Sequence, residues 1–340
     1  MSPGAARSLP CAPAPVGGTG EPTAAAGPSA GARRRVVLRR PATAAIAAAG
    51  LAVPFAAPAQ EIEPRAYSNA PVGVNFLVAG YAFTEGGLSF DPSLPVRNAR
   101  FGTSSAVLAY ARALDLWGLS GKVDAILPYS WLSGTADLAG RPIGRRVDGF
   151  GDARLRLSVN LLGAPALAPP EFRSYRQDLV VGASLQVSVP VGQHDSGRAV
   201  NLGTNRWSFR PELGISKALG PLTLELAAGA TFFTDNTDFF GGRARAQDPI
   251  YALRGHAIYS LRSGVWVSAD VTHFTGGRTT IDGEPNGDLL RNWRVGATLS
   301  VPLTARHSVR LYGSTGVSAR TGNNFDLIGA ALQYRWGGGL

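Results

Sequence analysis

Apolar and polar residues alternate one for one along most of the chain beyond residue 60. The cleanest run is 151–161, where Asp152, Arg154, Arg156, Ser158 and Asn160 oppose Ala153, Leu155, Leu157, Val159 and Leu161. Successive side chains of a strand point to opposite faces, so such a run predicts a strand with one oily and one wet wall. The same pattern predicts strands over 72–83, 102–114, 122–133, 179–190, 207–217, 222–233, 250–261, 265–274, 290–303, 308–317 and 325–336. Between them, connections 85–100, 134–148, 192–206, 234–248 and 275–288 are long and rich in Gly, Asp, Asn and Arg. By contrast, 116–121, 218–221, 262–264 and 304–307 are short. Two connections break the rhythm: 163–177 is long where a turn is due, and 319–323 is short where an outer loop is due.

No later segment offers the unbroken apolar run of a membrane helix. The apolar residues instead alternate, which suits a transmembrane antiparallel β-barrel of about twelve strands, all-β in class. Short periplasmic turns and longer outer loops then place both termini in the periplasm. An even number of strands closes the sheet and leaves no edge, as lipid requires. A soluble β-sandwich would alternate too, but with its apolar face turned inward. Aromatics near strand ends (Tyr129, Trp131, Trp207, Tyr251, Trp293, Trp336) favour the membrane, where rings anchor at the interface.

Composition supports strands and turns: 43 glycines and 16% charged residues in 340 are poor material for long helices. The leader reads in three parts. Residues 1–32 are Ala-, Gly- and Pro-rich, which a start site placed too early would explain. A cationic stretch follows at 33–40, then an Ala-rich apolar run and the small-x-small site Ala57-Pro58-Ala59. Residues 1–59 thus form a leader with a secretory signal peptide, and 60–340 an outer-membrane barrel domain. Arg34-Arg35 resembles a twin-arginine export signal, but that route carries folded cargo, so the pair reads as leader charge. Removing the leader's six arginines and one glutamate lowers the net charge from +10 to +5, with 27 basic against 22 acidic residues. The basic residues are scattered, which argues against a nucleic-acid partner. The only cysteine, Cys11, lies in the leader, leaving no thiol chemistry in the barrel domain.

In the closing stretch Ile328, Ala330, Leu332, Tyr334 and Trp336 lie on one face, and Gly329, Ala331, Gln333 and Arg335 on the other. It resembles the C-terminal signal of bacterial outer-membrane barrels, here trailed by Gly337–Leu340. The expected partners are therefore outer-membrane lipid, the barrel-assembly machinery through Phe325–Trp336, and a small-molecule solute. The expected location is the outer membrane of a Gram-negative bacterium.

Four further stretches carry a family resemblance. They are Pro64-Arg65-Ala66-Tyr67-Ser68-Asn69 through Phe76; Asn201-Leu202-Gly203-Thr204-Asn205-Arg206-Trp207 with Arg210-Pro211-Glu212; Phe232-Phe233-Thr234-Asp235-Asn236 with Gln247-Asp248-Pro249; and Thr275-Gly276-Gly277-Arg278-Thr279-Thr280. Together they resemble the outer-membrane proteins grouped as the meta-pathway phenol-degradation family. That likeness implies a transporter-like barrel with a tie to aromatic catabolism, and brings no catalytic or binding residues with it.

The inward faces are expected to carry Lys122, Asp124, Asp152, Arg154, Arg156, Arg210, Glu212, Glu225, Arg254, Asp270, Arg294, Arg310 and Arg335. A mildly cationic lumen would favour carboxylates such as aromatic acids. Equally, opposite charges on the same faces would pair and plug a narrow barrel. An outer-membrane lipid hydrolase would need a serine within reach of His273, yet Ser268 and Ser300 take the inward parity. Asp235, Asn236 and Asp238 could offer oxygen to a hard cation, but without calcium-loop spacing. The expectation is a channel, not an enzyme and with no cofactor or metal. It would pass small compounds, aromatic or apolar ones among them, by passive diffusion. The alternatives are a plugged structural or surface-binding barrel without transport and, behind it, a lipid hydrolase.

Overall fold

A wall in contact with hydrocarbon must pair every peptide group within itself, because lipid offers no hydrogen bonds. The computed structural model describes residues 63–87, 96–138, 140–198, 200–261, 263–319 and 324–338. It meets that demand by closure. The strands are β1 (Val74–Gly87), β2 (Val96–Leu116), β3 (Leu119–Leu138), β4 (Arg141–Phe150), β5 (Ala153–Leu162), β6 (Leu179–Val189), β7 (Ser208–Leu219), β8 (Leu222–Phe233), β9 (Asn236–Phe239), β10 (Arg243–Gln247), β11 (Ile250–Ser260), β12 (Trp266–Gly276), β13 (Thr279–Ile281), β14 (Glu284–Pro285), β15 (Leu290–Pro302), β16 (His307–Ala319) and β17 (Asn324–Gly337). β1 pairs antiparallel with both β2 and β17, so the first and last strands complete the ring. The leader and its cleavage site lie outside the described residues.

The ring has twelve staves because β4 and β5 serve as one. Both run antiparallel to β3, with 141–150 along its far half and 154–159 along 121–126. The interruption at Gly151 and Asp152 faces Pro128, which has no N–H to give the ladder. There the Gly151 N–H donates to the Pro128 carbonyl at 3.0 Å. The barrel class, the antiparallel pairing and a count near twelve agree with the alternation in the sequence.

Each stave turns a large apolar side chain outward: Leu77, Leu108, Leu127, Leu155, Leu185, Leu213, Leu226, Leu253, Val271, Val295, Leu311 and Ile328 are all exposed. Charged and hydroxyl side chains fill the interior instead, among them Asp124, Arg154, Glu212, Glu225, Arg254 and Asp270. A water-soluble sandwich would bury the first set and expose the second. An apolar belt that continuous is tolerated only against lipid. Near the short-turn end, Tyr334 and Trp336 stack at 5.5 Å, with Tyr110 6.2 Å from Trp336. Such a cluster of rings suits the interface.

Leu213, 62% exposed, sits mid-stave opposite Ala183 and Ala228. Leu213→Arg is expected to cost about 2–4 kcal/mol in a urea titration of folding into lipid vesicles. A cost near zero would place this face outside hydrocarbon.

Beyond the membrane the sequence reading needs correction. Residues 134–148, expected as a loop, continue as paired strand: β3 runs to Leu138 and β4 begins at Arg141. Expected loops 234–248 and 275–288 hold the small sheet β14-β13-β10-β9. Both faces of these strands meet water or loops, so nothing enforces strict alternation there. The long connection 163–177 holds a single helical turn, α1 (Pro169–Phe172). The two-residue turn Trp117-Gly118 has positive φ at both residues (57° and 85°), the mirror-image geometry that matches strand twist.

Candidate channel lumen

Small barrels have interiors only wide enough for side chains to fill. Here the filling has two sources, the inward faces of the staves and the segment that precedes β1. That segment, 63–73, enters from the short-turn end. The Gly73 N–H donates to the Ala113 carbonyl (3.0 Å) and that of Val72 to the Leu167 carbonyl (2.9 Å), fixing its base. Residues 64–67 then form a turn, with Arg65 at φ 68° and the Ser68 N–H donating to the Arg65 carbonyl. We call this segment the strap.

Glu63, Arg65 and Tyr67 of the strap's tip all meet the wall. The Arg65 N–H donates to Glu225 Oε2 at 2.8 Å, and its guanidinium lies 5.1 Å from the Trp266 ring. Glu63 forms an ion pair with Arg156, which also donates through Nε to Asp124 (3.1 Å). The Tyr67 hydroxyl donates to Glu212 Oε1 at 2.9 Å, while Asn160 Nδ2 donates to the Tyr67 carbonyl. Tyr67 is only 4% exposed and packs with Ala164, Val180 and Ala227. Its ring lies where two facing glycines leave room. A Cβ on Gly182 would sit 2.4 Å from ring atom Cδ1, and one on Gly214 would sit 2.0 Å from Cε2. Any other residue at either position would strike the ring.

Above the strap runs a belt of paired charge. Glu212 accepts from Arg254 as well as from Tyr67. Asp270 faces His256 Nδ1 at 2.7 Å and accepts from Ser268 Oγ at 3.1 Å. Arg210 donates to Gln186 Oε1 at 2.9 Å, and Glu225 accepts from Ser216 Oγ at 3.0 Å. Lys122 and Arg310 lie in the same electrostatic neighbourhood as Arg156, Asp124 and Glu63. Nearer the long-loop end, Arg294 donates to the Phe325 carbonyl and to Ser314, with its guanidinium 3.7 Å from the Phe325 ring. Arg154 is buried on the inner wall. Asp152 and Arg335 differ from the rest. Asp152 holds the backbone of Gly192 and Thr204, and Arg335 Nε donates to the Ala305 carbonyl, so both serve rim loops.

At the outer mouth, Val200 and Leu202 from the connection 190–207 pack on Phe101, Leu132 and Ala136. The lumen therefore grades from an apolar mouth through a charged belt to the strap. Between belt and strap a small polar cleft, bordered by Glu63, Tyr67, Arg210, Glu212, Arg254 and His256, has room for about one water. Thr272 Oγ1 and both polar atoms of the Asn292 amide, all buried, lack a hydrogen-bond partner among the described residues. They face the interior from β12 and β15.

The sequence reading missed the strap. Its tip, Pro64-Arg65-Ala66-Tyr67, carries no alternation, and nothing in it distinguishes a segment that lies across a pore from one hanging below it. The available signal was on the wall, where Gly182 and Gly214 are inward register partners on adjacent staves and leave a gap that neither fills. The Ser268 hydroxyl donates to Asp270 and not to a histidine, and outward His273 stacks on Trp293 at 4.5 Å. Neither arrangement places a serine against a general base. Asn236 is occupied with the Asn205 amide, the Asp238 N–H and the Thr204 carbonyl. Among the described residues no three His, Cys, Asp or Glu side chains converge as a metal site would require.

The family model described as Putative MetA-pathway of phenol degradation matches residues 99–336. Among solved structures, an outer membrane channel from Pseudomonas putida F1 aligns with a TM-score of 0.69 at 21% identity, covering 81% of this chain and 100% of that one. The transport unit of the autotransporter AIDA-I from Escherichia coli gives a TM-score of 0.48 at 9% identity, over 81% of this chain and 92% of that one. At such identities the likeness is one of fold. No curated protein matches this chain.

Proposed function

The chain belongs to the family described as Putative MetA-pathway of phenol degradation, and from its barrel and lumen we propose a channel in the outer membrane of a Gram-negative bacterium. It passes small aromatic or apolar compounds by passive diffusion when the strap gives way. One observation carries this reading: the wall closes through β1 and β17 without any help from the strap. The strap that lies across the inner end of the lumen is thus held there by non-covalent contacts and tethered to β1 through Gly73, and its departure would leave the ring intact.

The gradation of the lumen supports the solute class. An apolar mouth receives a ring. Charge pairing argues against a filter for carboxylates. Arg254 with Glu212 and Arg156 with Asp124 and Glu63 leave little net field along the belt. Those same pairs favour the rival reading, a permanently plugged structural barrel. Planar-bilayer recording on the refolded protein, paired with vesicle swelling in small phenols and sugars, separates the two. The channel reading expects discrete conductance steps and faster phenol than sugar entry; silence in both assays refutes it.

A further inference from the structure

The Tyr67 side chain is, from Cβ outward, a molecule of p-cresol held on a tether. We propose that the slot it fills is a phenol-binding site, occupied in the resting protein by the chain's own phenol and open to a free phenol that displaces it. The inference rests on the channel reading for its consequence, since a phenol that takes the slot lifts the strap's tip from the wall.

Three features make the slot selective. Gly182 and Gly214 are register partners on β6 and β7, and together they leave a flat recess that accepts a ring and nothing bulkier in its place. Glu212 lies at the hydroxyl end, 2.9 Å from the phenolic oxygen. Its carboxylate is paired with Arg254, so it stays an acceptor and requires a ligand that donates. A carboxylic acid in its ionised form or a phenolate would meet it with like charge. Finally, the small cleft borders both Tyr67 and Glu212 and leaves space for about one water beside the occupant.

Displacement is governed by the tether. A short flexible linker presents its group at an effective concentration in the millimolar range or above. Free phenols should therefore compete only when they too approach roughly millimolar levels. The strap would stay seated in dilute surroundings and yield where phenols are abundant.

Calorimetric titration of p-cresol into refolded, detergent-solubilised protein tests this, with the heat-dependent gel shift of a closed barrel confirming folding. Tyr67→Ala should bind one equivalent at least tenfold more tightly than the unaltered chain. Toluene, which lacks the hydroxyl, should bind the same variant weaker by roughly tenfold, the worth of one hydrogen bond to a charged acceptor. Adding Gly214→Val should abolish binding by filling the recess. Tyr67→Phe keeps the slot occupied but removes the bond to Glu212, so p-cresol should displace it at lower concentration than it displaces tyrosine. This second variant carries the test if Tyr67→Ala does not fold. No gain in either variant, equal binding of toluene, or binding that survives valine would overturn the proposal. Calorimetry reads occupancy and not passage, so a barrel that binds p-cresol yet conducts nothing would sink the channel reading and leave the site standing.

Discussion

Excising residues 63–69 is expected to raise single-channel conductance several-fold, and neutralising Glu63 alone to shift ion selectivity toward anions. The first effect follows from geometry, because Tyr67, Arg65 and Glu63 lie across the inner end of the lumen on polar and ring contacts to β5, β7, β8, β12 and, through Ser260, β11. The second follows from charge. Glu63 and Asp124 are the carboxylates beside Lys122, Arg156 and Arg310, and Glu63→Gln leaves Asp124 facing those cations alone, whereas excision removes Glu63 and Arg65 together and leaves the net charge unchanged. Unit charges about 4 Å apart interact by roughly 4 kcal/mol at the effective dielectric of a protein surface, and a narrow wall focuses that field. The reversal potential under a potassium chloride gradient measures the shift directly. Glu63→Gln separates the two effects: selectivity should move while conductance stays low, since the strap is still held by Tyr67 and Arg65. Unchanged conductance after excision would mean that the apolar mouth formed by Val200 and Leu202 is the tighter barrier.

The second large effect is expected at Glu212. It is the point where strap and wall meet, accepting from Tyr67 on one oxygen and from Arg254 on the other. Arg254 is 5% exposed. Removing only the carboxylate leaves a buried cation without its counter-charge, a change that typically costs about 3–5 kcal/mol. Glu212→Ala should therefore lower the urea midpoint for refolding into vesicles by a corresponding amount. Glu212→Gln, which keeps the shape and one acceptor oxygen but sets a donor NH2 against the other donor and leaves Arg254 without its counter-charge, should recover only part of that loss. The double variant Glu212→Ala with Arg254→Ala should recover much of the loss, because no stranded charge remains. If the double variant is as unstable as the sum of the singles, the two residues do not act as a pair.

The parts of this structure that touch lipid were legible in the sequence, and the parts that do not were not. Hydrocarbon allows no exception to pairing or to an apolar outward face, so Leu155, Leu185, Leu213 and their counterparts had to recur at every second position. That constraint ends at the membrane surface. Hence the continuation of β3 into β4 was mistaken for a loop, and the four short strands near Phe239 and Ile281 were invisible. The interior was half legible. Parity placed Glu212, Glu225, Arg254 and Asp270 inside, but alternation cannot say which partners they choose. His256 shares that inward parity, but nothing in the alternation says that it sits against Asp270. The strap left no periodic trace, because a segment enclosed by a barrel is shaped by the particular side chains it meets and not by a solvent boundary. Only the inward pairing of Gly182 with Gly214 hinted that something else needed the space.

The seam between Val74–Gly87 and Asn324–Gly337 sets the order of biogenesis. A ribosome must finish nearly the whole polypeptide before the two ends of the sheet can meet, so every prematurely terminated product carries an unpaired edge and cannot make a pore. The strap adds a timing rule of its own. Being joined directly to the first stave, it is either enclosed as the circle shuts or threaded afterwards through the periplasmic opening, and these two histories leave different refolding kinetics once residues 63–69 are gone.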